Sequence, residues 1–202
     1  MSCRPTMQEQ DMADAVSLSI LRQQHYDDLM ACAGQSSYNV WLAQMLASWL
    51  VGAGVLPDFL GLSPTQFQQL LQQCFPNLQL PETAVSQKTL DFSRMLEKQD
   101  LEQYLRRHAV NDNEHLEWMI SLVVSACLGS NHLWQDMGLW SRKDLSDMLA
   151  CCFPQLTVLN SKDMKWKKFL YKQLCEAEGI YVCRSPSCEV CKDYQQCFGS
   201  ED

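Results

Sequence analysis

The residues best suited to chemistry stand near the C-terminal end. Cys183, Cys188, Cys191 and Cys197 are spaced Cys-x4-Cys-x2-Cys-x5-Cys within fifteen residues. Thiols set this closely in a folded loop meet one another, and without a cation among them they oxidise or repel as thiolates. Pro186 and the short spacers let the loop curl so that its sulfurs converge. Thiolates are soft donors that select zinc, Cu(I) or iron–sulfur centres. The first three cysteines match the plant-type ferredoxin run, whose fourth cysteine is distant. The bacterial ferredoxin run is absent, and only one of the two Cys-x2-Cys knuckles usual for zinc is present. The spacing predicts a metal or cluster site and leaves iron–sulfur and zinc both open.

A second feature lies just upstream. Lys162, Lys165, Lys167, Lys168 and Lys172 are five of the 16 basic residues of the chain. In a helix Lys165, Lys168 and Lys172 share a face, and Cys175 lies beside Lys168 and Lys172. Lys165, Lys167 and Lys168 are candidates for a patch that attracts an oxyanion; charge runs also serve simply as solvated faces. Cys175 is a candidate extra ligand, resolving thiol or packed helix-end residue. His132 is a candidate ligand or a structural turn residue, because imidazole suits transition metals. His108, after Arg106 and Arg107, reads as an anion site or a basic helix end.

The whole chain sets limits on these readings. Its 202 residues carry 16 Lys+Arg and 24 Asp+Glu, a net charge of −8. This acidic balance disfavours general nucleic-acid binding, which needs basic surface against phosphates. With 47% hydrophobic and 20% charged residues there is material for a sizeable core. The longest apolar runs, around Met45–Leu56 and Met119–Leu128, fall short of the roughly 18 residues of a membrane span. No basic start followed by an apolar run opens the chain, so no signal peptide and a cytoplasmic location are expected. Eleven cysteines, an odd number, then point to metal binding rather than a disulfide framework. Neither a Gly-rich nucleotide loop nor a nucleophile–base pair is evident, so no enzyme is expected.

The elements that position these residues read as all-α. Residues 1–13 are expected to be a flexible N-terminus, 14–179 a single helical domain and 180–202 the cysteine-rich tail. Helical periodicity marks Asp14–Cys32 and Tyr38–Val51. Ser63-Pro64 opens a helix reaching Cys74. Leu78–Ala84 reads as a connector, Ser86–His108 as a long helix, and Asn160–Asp163 as the start of a helix to about Ala177. Trp166, Leu170 and Leu174 give this last helix its buried stripe. Trp134 and Trp140 read as core or interface aromatics.

An internal repeat runs through residues 38–78 and 115–156. Trp41, Ser48, Gly52, Leu56, Gly61 and Leu62 recur as Trp118, Ser125, Gly129, Leu133, Gly138 and Leu139. After one inserted residue, Ser63, Leu71, Cys74, Phe75, Pro76 and Leu78 recur as Ser141, Leu149, Cys152, Phe153, Pro154 and Leu156. This order predicts a duplicated helix–turn–helix unit packed into one bundle. Cys127 matches Leu50, and Cys74 matches Cys152, so all three cysteines read as packing residues.

Three segments together resemble the NifQ family of nitrogen-fixation proteins. They are Ser125-Ala-Cys-Leu-Gly through His132-Leu-Trp-Gln-Asp-Met-Gly-Leu, Asp163-Met-Lys-Trp-Lys-Lys-Phe-Leu-Tyr-Lys-Gln-Leu-Cys-Glu, and the cysteine tail followed by Phe198-Gly199. The resemblance covers Leu116 to Gly199. It implies an iron–sulfur cluster containing molybdenum, held at Cys183, Cys188, Cys191 and Cys197. It also implies donation of molybdenum, taken from molybdate or another source, for assembly of the nitrogenase iron–molybdenum cofactor. The implied partners are the scaffold complex NifEN and the nitrogenase iron protein NifH. Two readings of other classes stand beside it: a zinc-stabilised interaction module and an iron–sulfur electron carrier.

Overall fold

A computed structural model describes residues 7–78, 97–110, 114–177 and 194–201. The described residues are all-helical and contain no strand. In chain order the helices are α1 (Met7–Ala31), α2 (Asn39–Leu50), α3 (Pro64–Cys74), α4 (Lys98–Arg107), α5 (Glu114–Cys127), α6 (Leu133–Met137), α7 (Arg142–Cys152), α8 (Pro154–Leu159), α9 (Trp166–Ala177) and α10 (Tyr194–Phe198). A short 3-10 turn at Asp58–Gly61 lies between α2 and α3.

Two helices form the centre because most of their positions are apolar, the charges of α5 being confined to its first turn. α2 carries no charged residue, and Leu42, Ala43, Met45, Leu46, Ala47 and Trp49 are buried. In α5, Leu116, Trp118–Ile120, Leu122–Val124, Ala126 and Cys127 are buried. Helices apolar on all sides need neighbours all round. α3, α4, α7 and α9 are amphipathic and supply that outer layer through Phe67, Leu70, Leu101, Leu105, Leu145, Leu149, Phe169 and Leu170.

Helix boundaries follow local chemistry. Ser63 accepts from Gln66 N–H at 3.3 Å, and the Gln66 side chain accepts from Ser63 N–H at 3.1 Å, a capping box at the start of α3. Ser141 caps α7 by accepting from Asp144 N–H at 3.1 Å. α3 and α7 both end at a Cys-Phe step. Phe75 has φ/ψ of −139°/64° and Phe153 −137°/61°. The Cys74 carbonyl accepts from Gly34 N–H at 2.8 Å, and the Cys152 carbonyl from Val110 N–H at 3.1 Å.

Three boundaries differ from the sequence reading. α1 begins at Met7 rather than Asp14; Met7–Ala13 has no apolar stripe but, Asp11 aside, consists of good helix formers, which periodicity does not register. A further helix, α8, follows Phe153, with Pro154 at its first position, where a missing N–H costs nothing. α9 starts at Trp166, not Asp163. Asn160 Oδ1 accepts from Met164 N–H and its Nδ2 donates to Met164 O, each at 2.9 Å, closing a loop that holds Asp163 at φ 55°. The residues of the expected Ser86–His108 helix before Glu97 and most of the Leu78–Ala84 connector lie outside the described residues; α4 ends at Arg107. No helix among the described residues is long and apolar enough to cross a membrane.

Candidate metal centre

α9 is fixed by its apolar stripe. Trp166, Phe169, Leu170 and Leu174 are buried, and Trp166 Nε1 donates to Ser146 Oγ at 3.3 Å. Just before the helix, Lys165 N–H donates to the Cys197 carbonyl at 2.8 Å. The lysine Nζ lies 3.4 Å from the Gln195 carbonyl. These bonds seat α10, and with it Cys197, on the start of α9. Cys197 and Phe198 are half-buried against the core, and Tyr194 stacks on Phe198 at 4.6 Å. Gly199 N–H bonds Gln195 O at 2.9 Å, and a Cβ at Gly199 would strike that carbonyl.

Cys183, Cys188 and Cys191 lie outside the described residues. Among the described residues no group of three or more His, Cys, Asp or Glu is arranged to hold a metal ion. Cys175 is half-buried on the last turns of α9.

The structure separates the three candidate lysines. Lys168 is exposed and Lys165 faces the tail, but Lys167 turns inward with 16% of its side chain exposed. It pairs with Asp136, whose side chain is fully buried, and donates to Gly129 O at 2.9 Å. Asn131 completes the cage: its N–H donates to Asp136 Oδ2 at 3.0 Å and its Nδ2 to Oδ1 at 3.2 Å. A Cβ at Gly129 would overlap the Asp136 carboxylate. The Lys167 charge is therefore spent on a buried partner rather than on a surface patch.

His132 sits at the N-terminal end of α6, with Nδ1 3.7 Å from Glu201 Oε1. Arg142 Nε lies 3.2 Å from Glu201 Oε2. Arg142 also donates to Asp163 Oδ2 at 2.6 Å and to Asp163 O at 3.2 Å. The hydrogen bond that Arg142 donates to Asp163 and the charges of the two carboxylates together push the Arg142 pKa up against the opposing effect of burial. His108 caps α4 with Nδ1 2.8 Å from Tyr104 O and its ring 4.4 Å from that of Tyr104, the arrangement of a basic helix end. Sequence reasoning missed Asp136, Arg142, Asp163 and Glu201. Each acts through a partner 21 to 69 residues away, and no local spacing signals that; the only hint was the recurring Gly129, which makes room for Asp136.

The remaining cysteines divide cleanly. Cys74, Cys127 and Cys152 are buried. Burial pushes the Cys74 thiol up to about 11 and Cys127 to about 12, and raises Cys152 as well. Such thiols stay protonated and pack as small apolar groups. Trp166 is buried, and Trp134 is half-buried against the core. Trp140 is half-buried, meets Tyr26 in a tilted contact with ring centroids 4.8 Å apart and lies under the Arg22 guanidinium at 5.0 Å.

Comparison with known proteins adds an independent line. The family model NifQ matches residues 41–199. "Protein NifQ" of Azotobacter vinelandii is 39% identical over 186 residues, covering 87% of this chain and 95% of that protein. "Protein NifQ" of Klebsiella pneumoniae is 36% identical, covering 78% and 96%. "Protein NifQ" of Rhodobacter capsulatus is 33% identical, covering 79% and 87%. No solved structure matches. With the Lys-Trp-Lys-Lys helix, the docked Cys197 and the glycine after Phe198 all inside the matched span, the chain belongs to the NifQ family of nitrogen-fixation proteins.

Proposed function

We propose that the chain carries an iron–sulfur cluster containing molybdenum and donates the molybdenum to assembly of the nitrogenase iron–molybdenum cofactor. The observation that carries this reading is the seat of Cys197. The last cysteine of the motif is half-buried in α10, with its carbonyl held by the Lys165 N–H just before the lysine-rich helix. Thiolate donors suit iron and molybdenum in a sulfide-bridged cluster. Cys183, Cys188, Cys191 and Cys197 are the proposed ligands. The cluster is cargo as much as cofactor, so it must be held by few, exchangeable ligands rather than enclosed as a structural site is.

This chain's own residues then have separate tasks. The cysteines hold iron. Lys168 and Lys165 attract molybdate, a doubly charged anion, and screen the negative charge of a thiolate cluster. Lys167 does neither; paired with Asp136, it fixes α9. Cys175 and His132 stand as further candidate donors. NifEN and NifH are the proposed recipients. The proposed role is that of a carrier and not an enzyme.

The fold is proposed to derive from a duplicated unit. Support comes from the matched ends of α3 and α7 and from the equivalent carbonyls of Cys74 and Cys152, each taken by the chain after a preceding helix. Tyr38 and His115, which are equivalent positions, face each other with ring centroids 5.8 Å apart.

The test is metal and sulfide analysis of protein purified without oxygen, beside a Cys188→Ser/Cys191→Ser variant. Iron, sulfide and molybdenum are expected in the parent and lost in the variant. Zinc alone without sulfide would leave the zinc-stabilised module, and a reversible cluster couple without molybdenum would leave the electron carrier.

A further inference from the structure

We infer that Glu201 is a positioning residue for Cys197. This rests on the reading of Cys197 as a cluster thiolate. Glu201 follows Cys197 by four residues, yet its side chain is only 6% exposed. A buried carboxylate is stable only where cations meet it. Here the cation is Arg142 at 3.2 Å, with the His132 ring 3.7 Å from the other carboxylate oxygen; both come from the α6–α7 region rather than from the tail.

The connection from Glu201 back to the thiol is short and stiff. The Gly199 N–H bond to Gln195 O closes α10, and the absent Cβ lets the chain turn there. Lys165 N–H holds the Cys197 carbonyl from the other side. α10 is thus pinned at two points, one on α9 and one on Arg142. Asp163, the other carboxylate on Arg142, sits in the loop that sets where α9 begins. Through Arg142, one guanidinium therefore sets both the start of the lysine helix and the end of the cysteine tail. A ligand thiol placed this way has a fixed direction before any metal arrives.

The experiment compares the full chain with Glu201→Gln and Glu201→Ala. Metal-free protein is pulsed with iodoacetamide, and each cysteine is read by peptide mass spectrometry. Cleavage after Lys192 isolates Cys197 as the sole cysteine of its peptide. Cys197 is expected to label about tenfold faster in both variants, as local opening becomes easier, with Cys127 unchanged. In anaerobically reconstituted protein, the paramagnetic resonance spectrum is expected to shift and iron to be lost faster to a chelator. Unchanged Cys197 labelling would overturn the inference. So would faster labelling with an unaltered spectrum and iron retention, since Glu201 would then anchor the chain end without directing a ligand. If the parent itself takes up no cluster, the proposed function fails and the inference falls with it, whereas a loaded parent with unchanged variants overturns the inference alone.

Discussion

Ser48 donates its hydroxyl proton to the Gly138 carbonyl at 2.6 Å, across ninety residues of chain. Gly138 has φ 77°, and a Cβ there would lie 2.8 Å from Ser48 Cβ. The reciprocal pair behaves alike: Gly61 has φ 83°, and a Cβ there would collide with Ser125 Oγ. α2 thus meets the turn after α6, and α5 meets the turn before α3, each through a serine against a glycine. Gly138→Ala should cost about 2 kcal/mol or more, from left-handed strain plus overlap. Ser48→Ala should cost about 1 kcal/mol through the lost hydrogen bond. Urea unfolding measures both, and a Gly138→Ala variant as stable as the parent would contradict this packing.

The Asp136–Lys167 pair makes a different prediction. Lys167→Met leaves a fully buried carboxylate without its cation and should cost about 3 kcal/mol. Lys167→Met with Asp136→Leu should cost much less than the sum of the singles, and a double-mutant cycle reads that coupling. Additive losses would mean that the two side chains act independently.

The exposed lysines should behave in the opposite way. Lys168→Glu is expected to leave stability within about 0.5 kcal/mol, since it is a surface change. It should slow molybdenum loading from molybdate at low salt, with the difference fading as ionic strength rises. Loading rates that match the parent at every salt concentration would remove Lys168 from the anion's path.

Alkaline stability follows from the buried thiols. In the unfolded chain Cys127 titrates near 9.0, while in the fold burial raises it to about 12; Cys74 moves from 9.0 to about 11. The unfolded chain therefore loses protons first as the pH rises. The contribution of these thiols is constant below about pH 9 and is lost progressively toward pH 12. Denaturation midpoints measured from pH 7 to 11 should be flat at first and then fall. Replacing Cys127 with Ala should weaken the fall.

Metal removal should act locally. Chelation is expected to increase hydrogen exchange in peptides covering residues 180–193, while α10, α2 and α5 keep their protection, because binding and local folding are coupled in small metal segments. Equal exchange with and without metal would separate the tail's order from its ligand.

Much of this protein was legible in the sequence, because its signals are local. Apolar periodicity and the Ser63 cap fixed α2 and α3 to within a residue or two. The cysteine spacing and the Lys-Trp-Lys-Lys helix pointed to the family that the comparisons then gave. Cys74, Cys127 and Cys152, read as packing residues, are buried.

What the tertiary structure alone decided concerns charge and direction. Lys165, Lys167 and Lys168 look equivalent in sequence, and only the fold shows that Lys167 is neutralised by Asp136 while Lys168 faces solvent. Asn160 and Asp163 carry the residue types of a helix start, yet a closed loop and an arginine from α7 delay α9 to Trp166. Glu201 reads as an ordinary polar residue near the chain end until Arg142 and His132 are brought to it. Periodicity and capping act within a few residues and are written in order along the chain. A buried charge is decided by whichever partner the fold delivers from far away, and no local pattern carries that information.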